Sequence, residues 1–257
     1  MKKIKINSFL ILVGFCFVMI SCSGQENKNE SKQDDEGNVT EIVQESTQNI
    51  ESQPIRYRKV PIRRNRLTAV RTNPPIQDMV AFLSLYTDEE LSEVQSLDLS
   101  WNEIEVFAGL EQLPNLQILN LSGNRIGPVL NIEDLPEQIQ ILHLGPNLIE
   151  GTFRVSPKMG DLGVLTVDGT NISRLTGFEN LPNPMGSISF LDNPIENPEE
   201  FLKIHGVVGE LKFTYAPNIS FEQAVEIEAQ LREQNPDADL ILILPFIPIE
   251  ERTIPDT

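Results

Sequence analysis

The sequence has only two cysteines among its 257 residues, Cys16 and Cys22. Both lie in the first 22 residues, so the rest of the chain offers neither a disulfide nor a cysteine metal site. It has two histidines, His143 and His205, whose spacing does not match a paired-histidine zinc motif. We therefore expect no metal centre, and we expect the fold to be stabilised by packing.

Catalytic motifs are missing as well. The sequence has neither a G-x-S-x-G serine motif nor a glycine-rich loop that would hold a phosphate. Its aspartates and glutamates are numerous but scattered along the chain, which is typical of a solvated acidic surface. The sequence therefore predicts a protein that is not an enzyme and that needs no cofactor.

Positive charge is scarce except in one place. Lysine and arginine total 20 against 38 aspartates and glutamates, which gives a formal net charge of −18 and argues against nucleic-acid binding. Seven of these cations fall in the stretch 56–71, which has no acid. Two interpretations are open: the stretch is attracted to anionic head groups or glycans, or it contacts the acidic remainder of the chain or water. The second is favoured.

The first apolar run, from Phe9 to Ile20, is 12 residues long. That length is too short to span a bilayer as a helix but suits a signal peptide, and three lysines precede the run. The run ends at Met19-Ile20-Ser21-Cys22, which resembles a bacterial lipobox. The resemblance implies that Cys22 is lipidated and anchors the protein to a membrane. The alternative is a plain secretory signal peptide cleaved near Ser23.

One repeat dominates the rest of the chain. Residues 116–126 read L-x-x-L-x-L-x-x-N-x-I, and the frame recurs from Val94, Ile139, Leu162 and Met185, with a degraded copy from Val208. Successive copies are 22 or 23 residues apart. This frame and period resemble the leucine-rich repeat family, in particular the bacterial class found in internalins. The resemblance implies an α/β solenoid, a right-handed superhelix with a parallel concave sheet, that binds other proteins.

The frame also has a physical basis. Its fourth and sixth positions point to one side of a short strand, because strand side chains alternate, and stacked coils can share a core that one coil could not form alone. A buried asparagine can bond turn groups of the backbone with both ends of its amide. We therefore predict an asparagine ladder, and in the third repeat Thr152 and Lys158 predict an irregular outer arc. The ladder residues are Asn102, Asn124, Asn147 and Asn193.

The periodic segments set the predicted domain boundaries. The helical spacing of Ile76, Met79, Val80 and Leu83 and a capping box at Thr87 predict a helical cap, and Ser220 to Gln234 predicts a helix followed by a buried strand at Leu240 to Leu244. The predicted segments are a signal peptide with lipobox (1–22), a disordered tether with a basic stretch (23–73), an N-terminal cap (74–93), a leucine-rich repeat domain closed by a helix–strand cap (94–245) and a tail (246–257).

A partner site is predicted on the concave sheet. If the fourth and sixth frame positions face the core, the third and fifth face outward, and aliphatic residues there would form an exposed apolar stripe of the kind that marks a partner site. The alternative is that β-branched residues simply suit strands. The aromatic residues Trp101 and Tyr215 flank this surface, and its predicted partner-binding residues are Trp101, Asp98, Ile118, Asn120, Ile141, His143, Val164 and Thr166.

These observations together predict a non-enzymatic, monomeric, protein-binding lipoprotein of the bacterial envelope, on the outer membrane or cell surface, acting in adhesion or in contact with host or other cells. The alternative is an inward-facing scaffold or regulator of another envelope protein.

Overall fold

A computed structural model of the chain describes residues 55–130 and 132–243. Predictions for the signal peptide, for Cys22 and for the tail 246–257 lie outside the described residues. The helices are Met79–Leu83 (α1), Asp88–Ser92 (α2) and Phe221–Gln234 (α3), and short 3-10 turns lie at Leu110–Gln112, Ile132–Asp134, Phe178–Asn180 and Pro198–Lys203. The strands are Arg66–Thr68 (β1), Ser96–Asp98 (β2), Ile118–Asn120 (β3), Ile141–His143 (β4), Glu150–Arg154 (β5), Val164–Thr166 (β6), Asn171–Thr176 (β7), Ser187–Ile195 (β8), Glu210–Tyr215 (β9) and Asp239–Ile243 (β10).

Eight of these strands form one sheet in the order β1-β2-β3-β4-β6-β8-β9-β10, and every neighbouring pair is parallel. The fourth frame position falls in register from coil to coil, since Leu97 pairs with Leu119, Leu119 with Leu142, and Leu142 with Leu165. All four leucines are fully buried. The predicted leucine-rich repeat solenoid with a parallel sheet is therefore confirmed.

The core is continuous from the first coil to the last, because side chains from every coil join one cluster between Leu67 and Leu240. Its filling changes along the axis. Leucine and isoleucine dominate the first coils, whereas five phenylalanines fill the later ones, and the rings of Phe201 and Phe213 stack with centroids 3.9 Å apart. The coils thus depend on one another, as in other stacked repeats.

The asparagine ladder forms as predicted. Asn124 donates from Nδ2 to the carbonyl of Leu121 in its own coil (2.9 Å) and to that of Leu99 in the preceding coil (3.1 Å), while its Oδ1 accepts from the N–H of Ile104 (3.1 Å). Asn102, Asn147 and Asn193 are also buried and make equivalent bonds between coils. One amide thus satisfies three turn groups that water cannot reach.

The predicted tether (23–73) is wrong at its C-terminal end. Strand β1 lies inside that segment and pairs with β2, so that Leu67 stands opposite Leu97 and both are buried. Before it, Tyr57, Val60 and Ile62 pack against the core, and Tyr86 Oη bonds both backbone groups of Val60 (2.9 and 2.8 Å). The physical reason is that the first repeat would otherwise leave its leucines open to water.

The N-terminal cap follows the prediction except at one residue. Helix α2 carries the predicted capping box, with Thr87 and Glu90 bonded reciprocally. In helix α1, Val80 is 44% exposed, whereas Phe82, which was not predicted, is 1% exposed. This helix is a single turn, so its inward face is set by Met79, Phe82 and Leu83 and not by a longer helical periodicity.

The outer arc of the third repeat is irregular, as predicted, although it keeps its packing. Strands β5 and β7 form a second, two-stranded parallel sheet with a register shift between Gly151 and Thr152. Thr152 and Lys158 are exposed, while the residues after them, Phe153 and Met159, are buried. A shift of one residue at each place brings the next apolar side chain into the core, and the arc keeps its packing.

The C-terminal end is closed by α3 and β10. Ser220 caps α3 with Gln223 completing the box, and Ala224 and Leu231 are buried, as predicted. Strand β10 ends the sheet beside β9, and of its side chains only Leu240 is buried, whereas Ile241 and Ile243 are exposed. The prediction of a buried strand therefore holds for one face only, because side chains alternate and Ile241 and Ile243 lie on the outward face beside Lys212 and Thr214.

The described residues, 55–130 and 132–243, belong to one compact unit. Its core is closed at one end by the segment 57–62 and at the other by α3 and β10, so we expect this unit to fold without residues 1–52. Within the described residues, no helix is both long and apolar enough to cross a membrane.

The ladder gives the first testable prediction. Asn124→Ala leaves the N–H of Ile104 and the carbonyl of Leu121 without their amide partner, and burying unsatisfied polar groups should lower the free energy of unfolding by roughly 1–3 kcal/mol. Urea denaturation of residues 53–257 measures this loss. The control is Asn115→Ala, which removes an exposed bond to the Ser92 carbonyl and should change stability by less than about 0.5 kcal/mol. Equal losses in both variants would contradict a special role for the ladder.

Candidate functional site

The outward-facing positions of the sheet form two aligned columns. The third frame position runs in register through Ile118, Ile141 and Val164, and the fifth through Asn120, His143 and Thr166. The same columns continue at the N-terminal end to Ser96 and Asp98 and then to Arg66 and Thr68. The structure thus brings seven of the eight predicted partner-binding residues onto one face.

These residues are neither fully buried nor fully exposed. All seven have intermediate accessibility, while their sequence neighbours Leu97, Leu119, Leu142 and Leu165 are buried. Alternation along each strand explains the difference, because successive side chains point to opposite sides of the sheet. The outward face of the sheet therefore carries a continuous apolar strip that is partly exposed to solvent. This strip, here called the concave strip, consists of Ile118, Ile141 and Val164.

Part of the polar column is already used within the chain. Asp98 Oδ1 accepts from the N–H and the hydroxyl of Ser100 (3.0 and 2.7 Å), and Asn120 Oδ1 accepts from the N–H of Ser122 (3.1 Å). These bonds hold the side chains against the turn that follows each strand. The side chains of Asp98 and Asn120 are therefore held in place, and in each the Oδ1 atom already accepts a hydrogen bond from within the chain.

His143 lies in the middle of the polar column. Burial lowers its pKa, because an imidazolium loses hydration there, and the charges of Asp98 and Asp168 oppose that shift only in part. The imidazole is therefore neutral near pH 7 and offers a partner one donor and one acceptor. A partner contact that protonated it would have to overcome this desolvation.

Trp101 lies at the N-terminal end of the concave strip and forms a layered arrangement. Its side chain is 48% exposed, and its backbone has a left-handed φ of 58°. One face of the indole covers Gly123, since a Cβ at that glycine would lie 2.6 Å from the ring atom Cδ2. The guanidinium of Arg71 stands over the indole, 4.9 Å from the ring centroid. The arrangement fixes a large aromatic surface in a partly wet position.

The second predicted flanking aromatic, Tyr215, is not on this surface. It is 2% exposed, its hydroxyl donates to the Ala224 carbonyl (3.2 Å), and burial raises its pKa. The reason is a register shift between β8 and β9, which places Tyr215 opposite Ile195. The last coil omits the asparagine turn, so its eighth frame residue enters the core.

Sequence reasoning missed Arg71, because this residue precedes the first recognisable repeat. Its position becomes clear only once Arg66–Thr68 is known to be a strand, since Arg71 then occupies the same place after β1 that Trp101 occupies after β2, and its N–H donates to Ser100 O (3.2 Å). The predicted surface therefore gains a cation at its N-terminal end.

Other features lie off this surface. A cavity of about 240 Å³ lies under the N-terminal segment, lined by residues that include Tyr57, Arg58 and Phe82. His205 lies outside both columns. Among residues 55–130 and 132–243, no group of three or more histidine, cysteine, aspartate or glutamate side chains is arranged to hold a metal ion.

The chain is similar to known leucine-rich repeat proteins over part of its length. The family model described as "Leucine Rich repeat" matches residues 112–129. No curated protein matches the chain. An internalin from Listeria monocytogenes is 17% identical over 63% of this chain and 65% of its own, with a TM-score of 0.34. A leucine-rich repeat protein from Leptospira interrogans is 18% identical over 59% of this chain and 44% of its own, with a TM-score of 0.37. The chain thus spans less than two thirds of either structure's length.

The stacked pair gives a prediction. Trp101 is the only tryptophan of the chain, so its fluorescence reports this site alone. Arg71→Ala uncovers one face of the indole, and acrylamide quenching should therefore increase, while stability should fall by about 0.5–1 kcal/mol through loss of the cation–π contact. Arg66→Ala, which removes an equal charge from β1, is the control and should leave the quenching unchanged. Unchanged quenching in Arg71→Ala would contradict the stacking.

Proposed function

We propose that this chain is a non-enzymatic protein-binding lipoprotein of the bacterial envelope, and that it holds its partner on the concave face of the leucine-rich repeat solenoid. The leucine-rich repeat domain is a protein-interaction scaffold. The observation that carries the proposal for this face is the concave strip in register with a rigid, half-exposed tryptophan at one end.

The chemistry of the face suits protein recognition. Ile118, Ile141 and Val164 offer apolar surface, while Asn120, His143 and Thr166 offer hydrogen bonds in a parallel row. Interfaces commonly combine an apolar centre, aromatic anchors and a polar rim. Trp101 supplies the anchor, and the stacked Arg71 holds it in place before the partner arrives, which lowers the entropy lost on binding.

The row also argues for binding without catalysis. His143 is neutral and half-buried. Among the described residues, no serine or threonine hydroxyl donates a hydrogen bond to its imidazole, so none is activated as a nucleophile by it. Asp168, whose charge acts on His143, accepts from the Ser189 hydroxyl (2.6 Å) and the Leu191 N–H (2.8 Å). These groups stabilise the turn that follows the strand.

The apolar run at Phe9–Ile20 and the lipobox resemblance at Cys22 support export and a lipid anchor. Lipid-anchored display on the outer membrane or cell surface fits a role in adhesion or in contact with other cells. The alternative is an inward-facing scaffold or regulator of another envelope protein, which would need the same tether and the same curved surface.

The decisive test of the concave face is the double substitution Ile118→Asp/Ile141→Asp. Two carboxylates in the centre of the concave strip should weaken partner binding by at least about 30-fold, since central interface residues contribute about 2 kcal/mol or more. Residues 53–257 are used as bait on envelope and host-cell extracts, and the captured proteins are compared by mass spectrometry.

The matched control is Val106→Asp/Val129→Asp, which adds the same charge at residues that are 71% and 83% exposed and lie off the sheet. Circular dichroism checks each fold, and Ile118→Ser/Ile141→Ser replaces the first variant if adjacent carboxylates prevent folding. Undiminished capture by a folded concave-strip variant would refute the proposed site.

Protease treatment of intact cells separates display from the inward-facing alternative. For a protein exposed on the surface we expect the mature chain to disappear, because the segment 23–54 is rich in polar residues and open to cleavage by sequence. Full protection in intact cells, with cleavage after lysis, would support the inward-facing scaffold.

A further inference from the structure

Five arginines cluster at the N-terminal end of the sheet, and together they are here called the basic edge: Arg56, Arg58, Arg63, Arg64 and Arg66. All five side chains are exposed. No acidic residue lies in the segment 55–73 that contains them. The segment of the basic edge therefore carries five exposed positive charges and no acid of its own, while Asp78 and Glu90 of the cap lie against it at Tyr57 and Lys59.

The arginines are not neutralised by the fold. In the part of the chain that the structure describes, the ion pairs do not include any of the five, although the neighbouring Lys59 pairs with Glu90 at 2.7 Å. The favoured interpretation is that the stretch contacts the acidic solenoid or water: Lys59 makes the contact, and the exposure of the five arginines agrees with hydration.

The backbone that carries the basic edge is firmly held. The N–H of Arg63 donates to the Arg66 carbonyl and the N–H of Arg66 to the Arg63 carbonyl, both at 3.0 Å, which closes a tight turn. Arg64 and Asn65 are the two central residues of this turn, and their φ angles are 50° and 61°. A two-residue turn with two positive φ angles usually has glycine at its second central position. An arginine kept in a left-handed conformation at the tip points to a use for its charge.

The other end of the segment is anchored as well. The hydroxyl of Tyr57 accepts from the N–H groups of Gln77 and Asp78 (3.1 and 3.0 Å), and its ring meets Phe82 edge to face. Arg56 and Arg58 flank this tyrosine, so their backbone is fixed to the cap. The five charges are thus presented by an ordered surface rather than by a loose chain.

The negative charge of the solenoid limits which anionic partner the basic edge can bind. Residues 74–243 contain 27 acidic and seven basic residues, a formal net charge of −20. A long polyanion such as a glycan or nucleic acid would be repelled wherever it extended past the basic edge along the fold. A planar anionic surface touches only one end of the molecule and avoids that repulsion. The basic edge also adjoins residue 55, where the segment leading back to the predicted lipidation site begins.

We propose that the basic edge docks on an anionic lipid surface and holds the solenoid by its N-terminal end. The guanidinium groups bind lipid phosphates, to which their planar donor geometry is matched. Docking by this end leaves the concave strip free for a protein partner. The proposal does not rest on lipidation at Cys22 and is tested without it.

The test uses residues 53–257 and sedimentation with vesicles of phosphatidylcholine, either pure or mixed with phosphatidylglycerol. We expect binding only to the mixed vesicles, and weaker binding as salt is raised. Arg63→Gln/Arg64→Gln should reduce the partition coefficient roughly 30-fold, because each arginine near an anionic surface contributes roughly 5-fold. Circular dichroism checks the fold of each variant.

The matched control is Arg154→Gln/Arg174→Gln, which removes two exposed arginines from β5 and β7, and we expect it to keep its binding. Equal binding to both kinds of vesicle, or an equal loss in both variants, would overturn the proposal. So would binding to a sulfated glycan column without binding to the mixed vesicles, since that result would assign the basic edge to a polysaccharide.

Discussion

The fold depends on satisfying the backbone at one buried corner of every coil. Each coil turns sharply after its strand, and the turn faces the next coil, so water cannot bond its N–H and carbonyl groups. Asn102, Asn124, Asn147 and Asn193 solve this by bridging two coils each. Where Thr170 replaces the asparagine, its hydroxyl donates to Asn193 Oδ1 in the following coil, and the preceding coil is joined through backbone bonds such as that from the Asn171 N–H to the Ile149 carbonyl. The ladder therefore fixes the register on which both outward columns depend.

A solenoid must also close its two ends, and this chain does so differently at each. The C-terminal end uses a regular helix and an edge strand, and Asn235 extends the ladder chemistry by accepting from the Val207 N–H and donating to Ile204 O (3.0 and 3.3 Å). The N-terminal end uses an extended segment with apolar residues facing in and arginines facing out. Alternation along that segment means that closing the core and presenting positive charge are achieved by the same few residues.

Sequence periodicity predicted what repeats, and it failed where the chain departs from the repeat. The leucine columns and the asparagine ladder follow from spacing alone, whereas β1 has Leu67 as its single apolar residue and stands 30 residues before β2 in register. In the third repeat the inward positions move by one residue, from Thr152 to Phe153 and from Lys158 to Met159. Tyr215 needed knowledge of the β8–β9 register, and Arg71 needed knowledge of β1. The repeat pattern alone does not predict where a residue lies when its position depends on how two coils pair.

The charge distribution connects the two proposed surfaces. Arg66 belongs to the basic edge and also begins the third-position column, and Arg71 stands over Trp101 at the same end. In the third-position column the charge therefore changes from positive at Arg66 through neutral residues to acidic at Glu210 and Asp239, whereas the fifth-position column has Asp98 near its start and Lys212 near its end. An anionic surface would attract the first coil and repel the later ones, so the domain would stand on its N-terminal end. In that orientation the middle of the concave strip points along the surface and remains open to a protein partner, which a domain lying on its side would not allow.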